Sequence, residues 1–292
     1  MMIGKKVPHL CSFVGLVMIA ALFLPSCAWA ALEGASAPAR IVPHKAYYKL
    51  VMGSKTNSSA LDDVTGTILF DWQNSCDGWT SQQYISFAFS YADGTQAQIK
   101  STMMSWESMD GKDMTFYIKR QSDADEEENY KGKAHMDEQG GVVKFSMPEN
   151  TPDLTLPKDT MYPTNHTFMI LQKALAGEKM FTRRVYDGSQ AKDVDEVSVF
   201  IAPELKEIDK DIQEKYKGNG LIGGRAWPVR LAFYRAADQT SAPDYEMEME
   251  MQENGVVRKV KIEYPDFTIT GSLDKLEPNE TLSCGAKNGG TP

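Results

Sequence analysis

Residues 244–252 and 257–264 are two alternating runs flanking Asn254-Gly255, a dipeptide that signals a tight hairpin because both residues tolerate positive φ. A two-residue turn there makes opposed positions sum to 254 + 255 = 509. Glu250 then faces Lys259, Glu248 faces Lys261, Met249 faces Val260 and Met247 faces Ile262. Charges meet charges of opposite sign on one face and apolar groups meet on the other. A slip of one residue would exchange the two faces, so the pattern fixes the register of an antiparallel pair.

The same grammar runs through the chain. Strands are predicted at 47–52, 64–72, 80–91, 96–107, 115–121, 130–136, 142–147, 197–201, 227–234 and 267–271, with Val185-Tyr186-Asp187-Gly188 as a further strand end and turn. Asp93-Gly94, Asp110-Gly111 and Gly140-Gly141 punctuate them about every ten residues, the mark of a meandering antiparallel sheet. Two helices interrupt it. Residues 166–176 place Phe168, Leu171 and Leu175 at helical spacing, with Thr164 or Asn165 as cap and Gly177 as stop. Residues 204–216 place Leu205, Ile208 and Ile212 on one face of a surface helix stopped by Gly218.

The N-terminus carries Lys5 and Lys6, an apolar stretch at 10–24 and then Ala28-Trp29-Ala30, the pattern of a signal peptide cleaved before Ala31. Leu24-Pro25-Ser26-Cys27 offers a rival, a lipoprotein box anchoring the chain through Cys27, which Pro25 suits poorly. The expected compartment is a periplasm, and the expected layout is a signal peptide at 1–30, a flexible tether at 31–43, one β domain at 44–284 and a disordered tail at 285–292. Loss of the leader takes the formal charge from −9 to −9 − 2 = −11. Nucleic acid and anionic membrane surfaces select clustered Lys and Arg, so that balance argues against both.

Cys76 and Cys284 survive such cleavage, and two cysteines in an oxidising compartment allow one intramolecular disulfide. The other readings are a reactive thiol and half a metal site, although neither cysteine has a second Cys or a His at ligand spacing. The acidic run 123–128 could hold calcium, but lacks the glycine and terminal glutamate of an EF-hand. His44, His135 and His166 remain after cleavage; His166, near a helix start, is the one that invites a catalytic role, yet no nucleophile or metal motif accompanies it. Met247, Met249 and Met251 share one strand face, where thioethers could take copper(I) or simply pack against Val260 and Ile262. A curved sheet around one helix could also enclose an apolar cavity for a lipid or acyl chain.

An ordered set of weak motifs adds to this reading. His44-Lys45-Ala46-Tyr47-Tyr48, Gly66-Thr67, Cys76-Asp77-Gly78-Trp79, the stretch 157–166, Val185-Tyr186-Asp187-Gly188-Ser189, Pro243-Asp244-Tyr245-Glu246, Tyr264-Pro265-Asp266-Phe267 and Cys284 together resemble the EipB family of periplasmic cell-envelope integrity proteins. The resemblance covers about residues 44–284. It implies a β-spiral, a bent and broken barrel of antiparallel strands around a central helix, similar to the LolA and LolB lipoprotein carriers. It also implies a disulfide between Cys76 and Cys284. It brings no catalytic residues, and the segment 204–216 looks like an insertion in it.

The expectation is therefore a monomeric, non-enzymatic periplasmic protein that maintains the envelope through a protein partner or an apolar ligand such as a lipid or a lipoprotein acyl group. No catalytic, metal or cofactor site is assigned. The alternatives are an envelope hydrolase with an unrecognised site and a copper-binding protein using Met247, Met249 and Met251.

Overall fold

The first described strand lies in the middle of the sheet. In the computed structural model, which describes residues 40–123, 126–235 and 242–280, β1 (His44–Lys55) pairs antiparallel with β2 (Leu61–Ser75) on one side and with the last strand, β15 (Phe267–Pro278), on the other. From β2 a meander runs outward through β3 (Gly78–Tyr91), β4 (Gln96–Ser108), β5 (Asp113–Ser122), β6 (Glu128–Met136) and β7 (Gly141–Met147) to the edge strand β8 (Leu154–Leu156). Three residues later β9 (Thr160–Met161) forms the opposite edge of the same sheet. Helix α1 (Pro163–Leu175) carries the chain over to β10 (Met180–Val185), which lies parallel to β9. The second arm returns through β11 (Asp195–Ile201), helix α2 (Lys210–Lys215), β12 (Ala226–Arg235), β13 (Tyr245–Gln252) and β14 (Val257–Glu263) to β15.

The order β8 to β1, then β15 to β9, makes one 15-stranded sheet that is closed except between β8 and β9. Pro157-Lys158-Asp159 spans that break covalently, and both edge strands are only two or three residues long, which leaves little unpaired backbone. The sheet is thus the mainly β, bent and broken barrel that the resemblance implies. Alternation sorts its faces: in β5, Met114, Phe116 and Ile118 are buried while Thr115, Tyr117 and Lys119 are not.

The core forms three clusters. One gathers Ile170, Leu171 and Ala174 of α1 against Trp72, Trp79, Val199 and Trp227. A second joins Tyr48 and Leu50 to Val260, Ile269 and Leu273, with Ile212 of α2 and its C-cap Tyr216. A third lies under β5 to β7 around Phe116, Val143, Tyr162 and Tyr186.

Four local expectations need correction. The β13–β14 register holds at Met247–Ile262, Glu248–Lys261 and Met249–Val260, but Met251 faces Val257, one position short. Gln252 N donates to Val256 O, so the turn contains three residues, Glu253 to Gly255, with Gly255 at φ 86°; a bulge in β14 at Arg258-Lys259, opposite Glu250, restores the register. Lys259 therefore loses Glu250 and reaches Asp209 at 2.6 Å, while Glu250 lies 2.8 Å from Arg258. Helix α1 begins at Pro163, whose fixed φ suits a first turn, and its N-cap Tyr162 makes no side-chain cap bond. The helix expected over 204–216 is helical only at Lys210–Lys215, after Asp209 accepts from Asp211 N at 2.9 Å. Residues 41–43, assigned to the tether, are packed: Ile41 is buried and Val42 N donates to Asn254 O. Cys27 and the remainder of the leader, tether and tail lie outside the described residues.

Candidate functional site

One rim of the barrel carries the β2–β3 and β13–β14 turns. Cys76 sits in the first of them, and the backbone there is crowded. A Cβ on Gly78 would come within 2.2 Å of the Glu107 carbonyl and 2.7 Å of Trp106 Nε1, so glycine is required for close approach of β3 to β4. Ser75 Oγ lies 2.9 Å from both Asp77 Oδ1 and Gly78 O and accepts from Trp106 Nε1 at 3.3 Å. From this turn an aromatic chain leads inward: Trp79 contacts Trp72 at 5.6 Å and Phe168 of α1 at 5.7 Å, and His44 meets Trp72 edge-on at 6.2 Å. Burial lowers the His44 pKa, against the opposing pull of its bond to Val42 O. This rim is filled.

The start of α1 is held by a residue that sequence inspection does not single out. Glu107, fully buried at the end of β4, accepts from Thr164 N with both carboxylate oxygens and from Thr164 Oγ1 at 2.9 Å. Burial raises its pKa to about 7, and the Thr164 and Asn165 bonds offset only part of that rise. His166, two residues along, is buried edge-on to Phe181 at 5.8 Å, with Nε2 unpartnered. Burial, and next the nearby Arg183, lower its pKa to about 4. His135 pairs with Asp113 at 2.8 Å on the surface. The three histidines are thus apart in their surroundings, and none shares a hydrogen bond with another or with a serine or cysteine among the described residues.

The methionine face turns toward the core. Met251 is buried, and Met247 and Met249 are half-buried against both the α1 and β14–β15 clusters. In the acidic run, Asp123 accepts from Gln98 N, Glu127 pairs with Lys119 and Glu128 with Arg120. Among the described residues, no group of three His, Cys, Asp or Glu is arranged to hold a metal ion. Cys284 lies outside the described residues.

The opposite rim, at the end of β12, the start of β13 and the β14–β15 turn, is different in kind. Phe233 stacks on Tyr245 at 4.4 Å, Tyr245 approaches Tyr264 at 6.0 Å, and Tyr264 stacks on Phe267 at 4.8 Å. All four are half-buried, and they form one row from β12 through β13 and the residue that follows β14 to the start of β15. Phe87 and Phe89 of β3, also half-buried, pack against the same cluster as Tyr245, Tyr264 and Phe267. Burial pushes the Tyr245 and Tyr264 phenols up, so both are neutral across the physiological range. Each aromatic lies at a strand end, and only the register reveals that they line up. On the outer wall, two grooves of about 460 and 560 Å³ cross the first arm, lined respectively around Tyr47 and Tyr84 and around Trp106 and Tyr117.

Such a molecule is an open antiparallel barrel, filled by a helix at one rim and bordered by aromatics at the other. A family model described as EipB-like matches residues 35–280. The chain belongs to that family. It is 29% identical over 259 residues to the cell envelope integrity protein EipB of Brucella abortus (strain 2308), spanning 87% of this chain and 91% of that protein. It also resembles the crystal structure of a β-barrel-like protein from Brucella abortus, described as a domain of unknown function. That match has 26% identity and a TM-score of 0.76, covering 83% of this chain and all of that one.

Proposed function

We propose that this protein is a non-enzymatic periplasmic factor in cell-envelope integrity, acting by binding an apolar ligand or a partner's apolar segment at its aromatic rim. The observation that carries this reading is the row Phe233–Tyr245–Tyr264–Phe267, which leaves apolar area partly in contact with water at the rim that α1 does not fill. The envelope role follows the relative that this chain matches along nearly its whole length. A Cys76–Cys284 disulfide is part of the proposal. Asn279 Nδ2 donates to Trp72 O at 3.0 Å and Asn279 N to Pro43 O, which brings the outgoing chain beside β2. Cys76 follows Trp72 by four residues and Cys284 follows Asn279 by five, so the two can meet at about 3.3 Å per residue.

Complementation of a deletion strain tests the role. Wild-type protein and His166→Ala should restore resistance to detergent equally, whereas Phe233→Ser/Tyr264→Ser should not. A folded His166→Ala protein that fails to complement would contradict the non-enzymatic reading, and full complementation by the rim variant would contradict the binding reading.

A further inference from the structure

The outer wall of β3 to β7 carries a second surface, unrelated to the aromatic rim. Pairing places Thr80, Trp106, Thr115, Lys133 and Lys144 in one row across five strands, each directly opposite the next. Gln82, Met104, Tyr117 and Lys131 form the adjacent row. These nine residues line the groove of about 560 Å³, a volume suited to a small ligand or a short piece of polymer.

Lys133 and Lys144 are direct cross-strand neighbours, an arrangement that disfavours the sheet because like charges oppose each other. Lys131 adds a third cation two residues away. All three side chains are exposed, and none forms an ion pair among the described residues. On the same wall Lys119, by contrast, is paired with Glu127. A protein of formal charge −9 has ample carboxylates to pair with three lysines, yet leaves them together. Beside them, Trp106 is fixed in orientation by its bond to Ser75 Oγ, and Trp106 and Tyr117 both line the groove. Thr80, Gln82, Thr115 and Ser146 supply hydroxyl and amide groups around the edge.

We infer that this groove binds an anionic saccharide, with sugar rings packed on Trp106 and Tyr117 and a carboxylate or phosphate held between Lys133 and Lys144. Neighbouring strands lie about 4.8 Å apart, so Trp106 and Lys133 are separated by about 10 Å, the span of one or two sugar units. Aromatic faces suit the apolar face of a sugar ring, ammonium groups suit its anion, and the hydroxyl and amide edge suits its remaining hydroxyls.

The test uses isothermal titration of the mature protein with hexagalacturonate, with neutral cellohexaose of the same length, and with phosphatidylglycerol vesicles. Hexagalacturonate should bind, weaken as salt rises, and bind at least about tenfold more tightly than cellohexaose. Lys144→Glu separates binding from folding, since it puts an acid opposite Lys133: the melting temperature should rise or hold while hexagalacturonate binding falls about tenfold or more. Trp106→Phe, which keeps an aromatic face but loses the bond to Ser75, should weaken binding less than Lys144→Glu. Equal binding of the two oligosaccharides, binding of neither, binding of the vesicles alone, or unchanged affinity in Lys144→Glu would each overturn the inference.

Discussion

Both carboxylate oxygens of Glu107 stand 3.0 Å from the backbone N of Thr164, so the end of β4 caps the start of α1 across a separation of 57 residues. The helix needs this long-range cap because Tyr162 makes no side-chain cap bond of its own.

The same helix start contains two groups that titrate with opposite consequences. Glu107, raised from 4.5 to about 7, stabilises the fold fully below pH 4.5 and loses that contribution as pH climbs toward 7. His166, lowered from 6.5 to about 4, contributes fully above pH 6.5 and loses it as pH falls toward 4. Relative to wild type, Glu107→Gln should therefore become less stable as the buffer goes from pH 7.5 to 5, and His166→Phe should become more stable. Neither difference should exceed about 1.4 kcal/mol per pH unit. Urea midpoints at the two pH values check this; parallel behaviour of all three proteins would contradict it.

Cys76→Ser and Cys284→Ser should each lower the melting temperature and remove up to about 5 kcal/mol of stability if the closed loop of 284 − 76 = 208 residues acts through chain entropy. The double variant should add little to either single one, because the two changes remove one bond. Additive losses, or an intact mass equal to that of the reduced chain, would rule the bond out.

Two glycines in the same meander should respond differently to alanine. At Gly78 the new Cβ meets the Glu107 carbonyl at 2.2 Å, and a loss of about 2–4 kcal/mol is expected from the forced separation of β3 and β4. At Gly94, φ is 84° with nothing within 4 Å, so only the backbone penalty of about 1 kcal/mol applies. Chemical denaturation of both variants measures the contrast. A milder effect at Gly78 than at Gly94 would show that the crowding is readily relieved.

Much of the fold was legible because strand alternation and turn chemistry are local. The Met247–Ile262 and Glu248–Lys261 pairs follow from sequence, as do the meander and the helix around Leu171. The extra turn residue Glu253 was not legible, because a three-residue turn closed by a bulge presents the same Asn-Gly signal as a two-residue one. Helix 204–216 was overextended because Leu205 and Ile208 keep helical spacing in a segment that packs without helical hydrogen bonds. The Glu107–Thr164 cap, the aromatic rim and the Lys133–Lys144 pair all depend on neighbours supplied by other strands. Sequence spacing within one strand carries no trace of them.

Native mass spectrometry of the mature protein purified from envelopes reads occupancy of the aromatic rim. The expected result is an adduct that denaturing extraction releases as an apolar molecule or acyl group, and that Phe233→Ser/Tyr264→Ser abolishes. Wild-type protein that is empty on isolation and takes up no added amphiphile would contradict it.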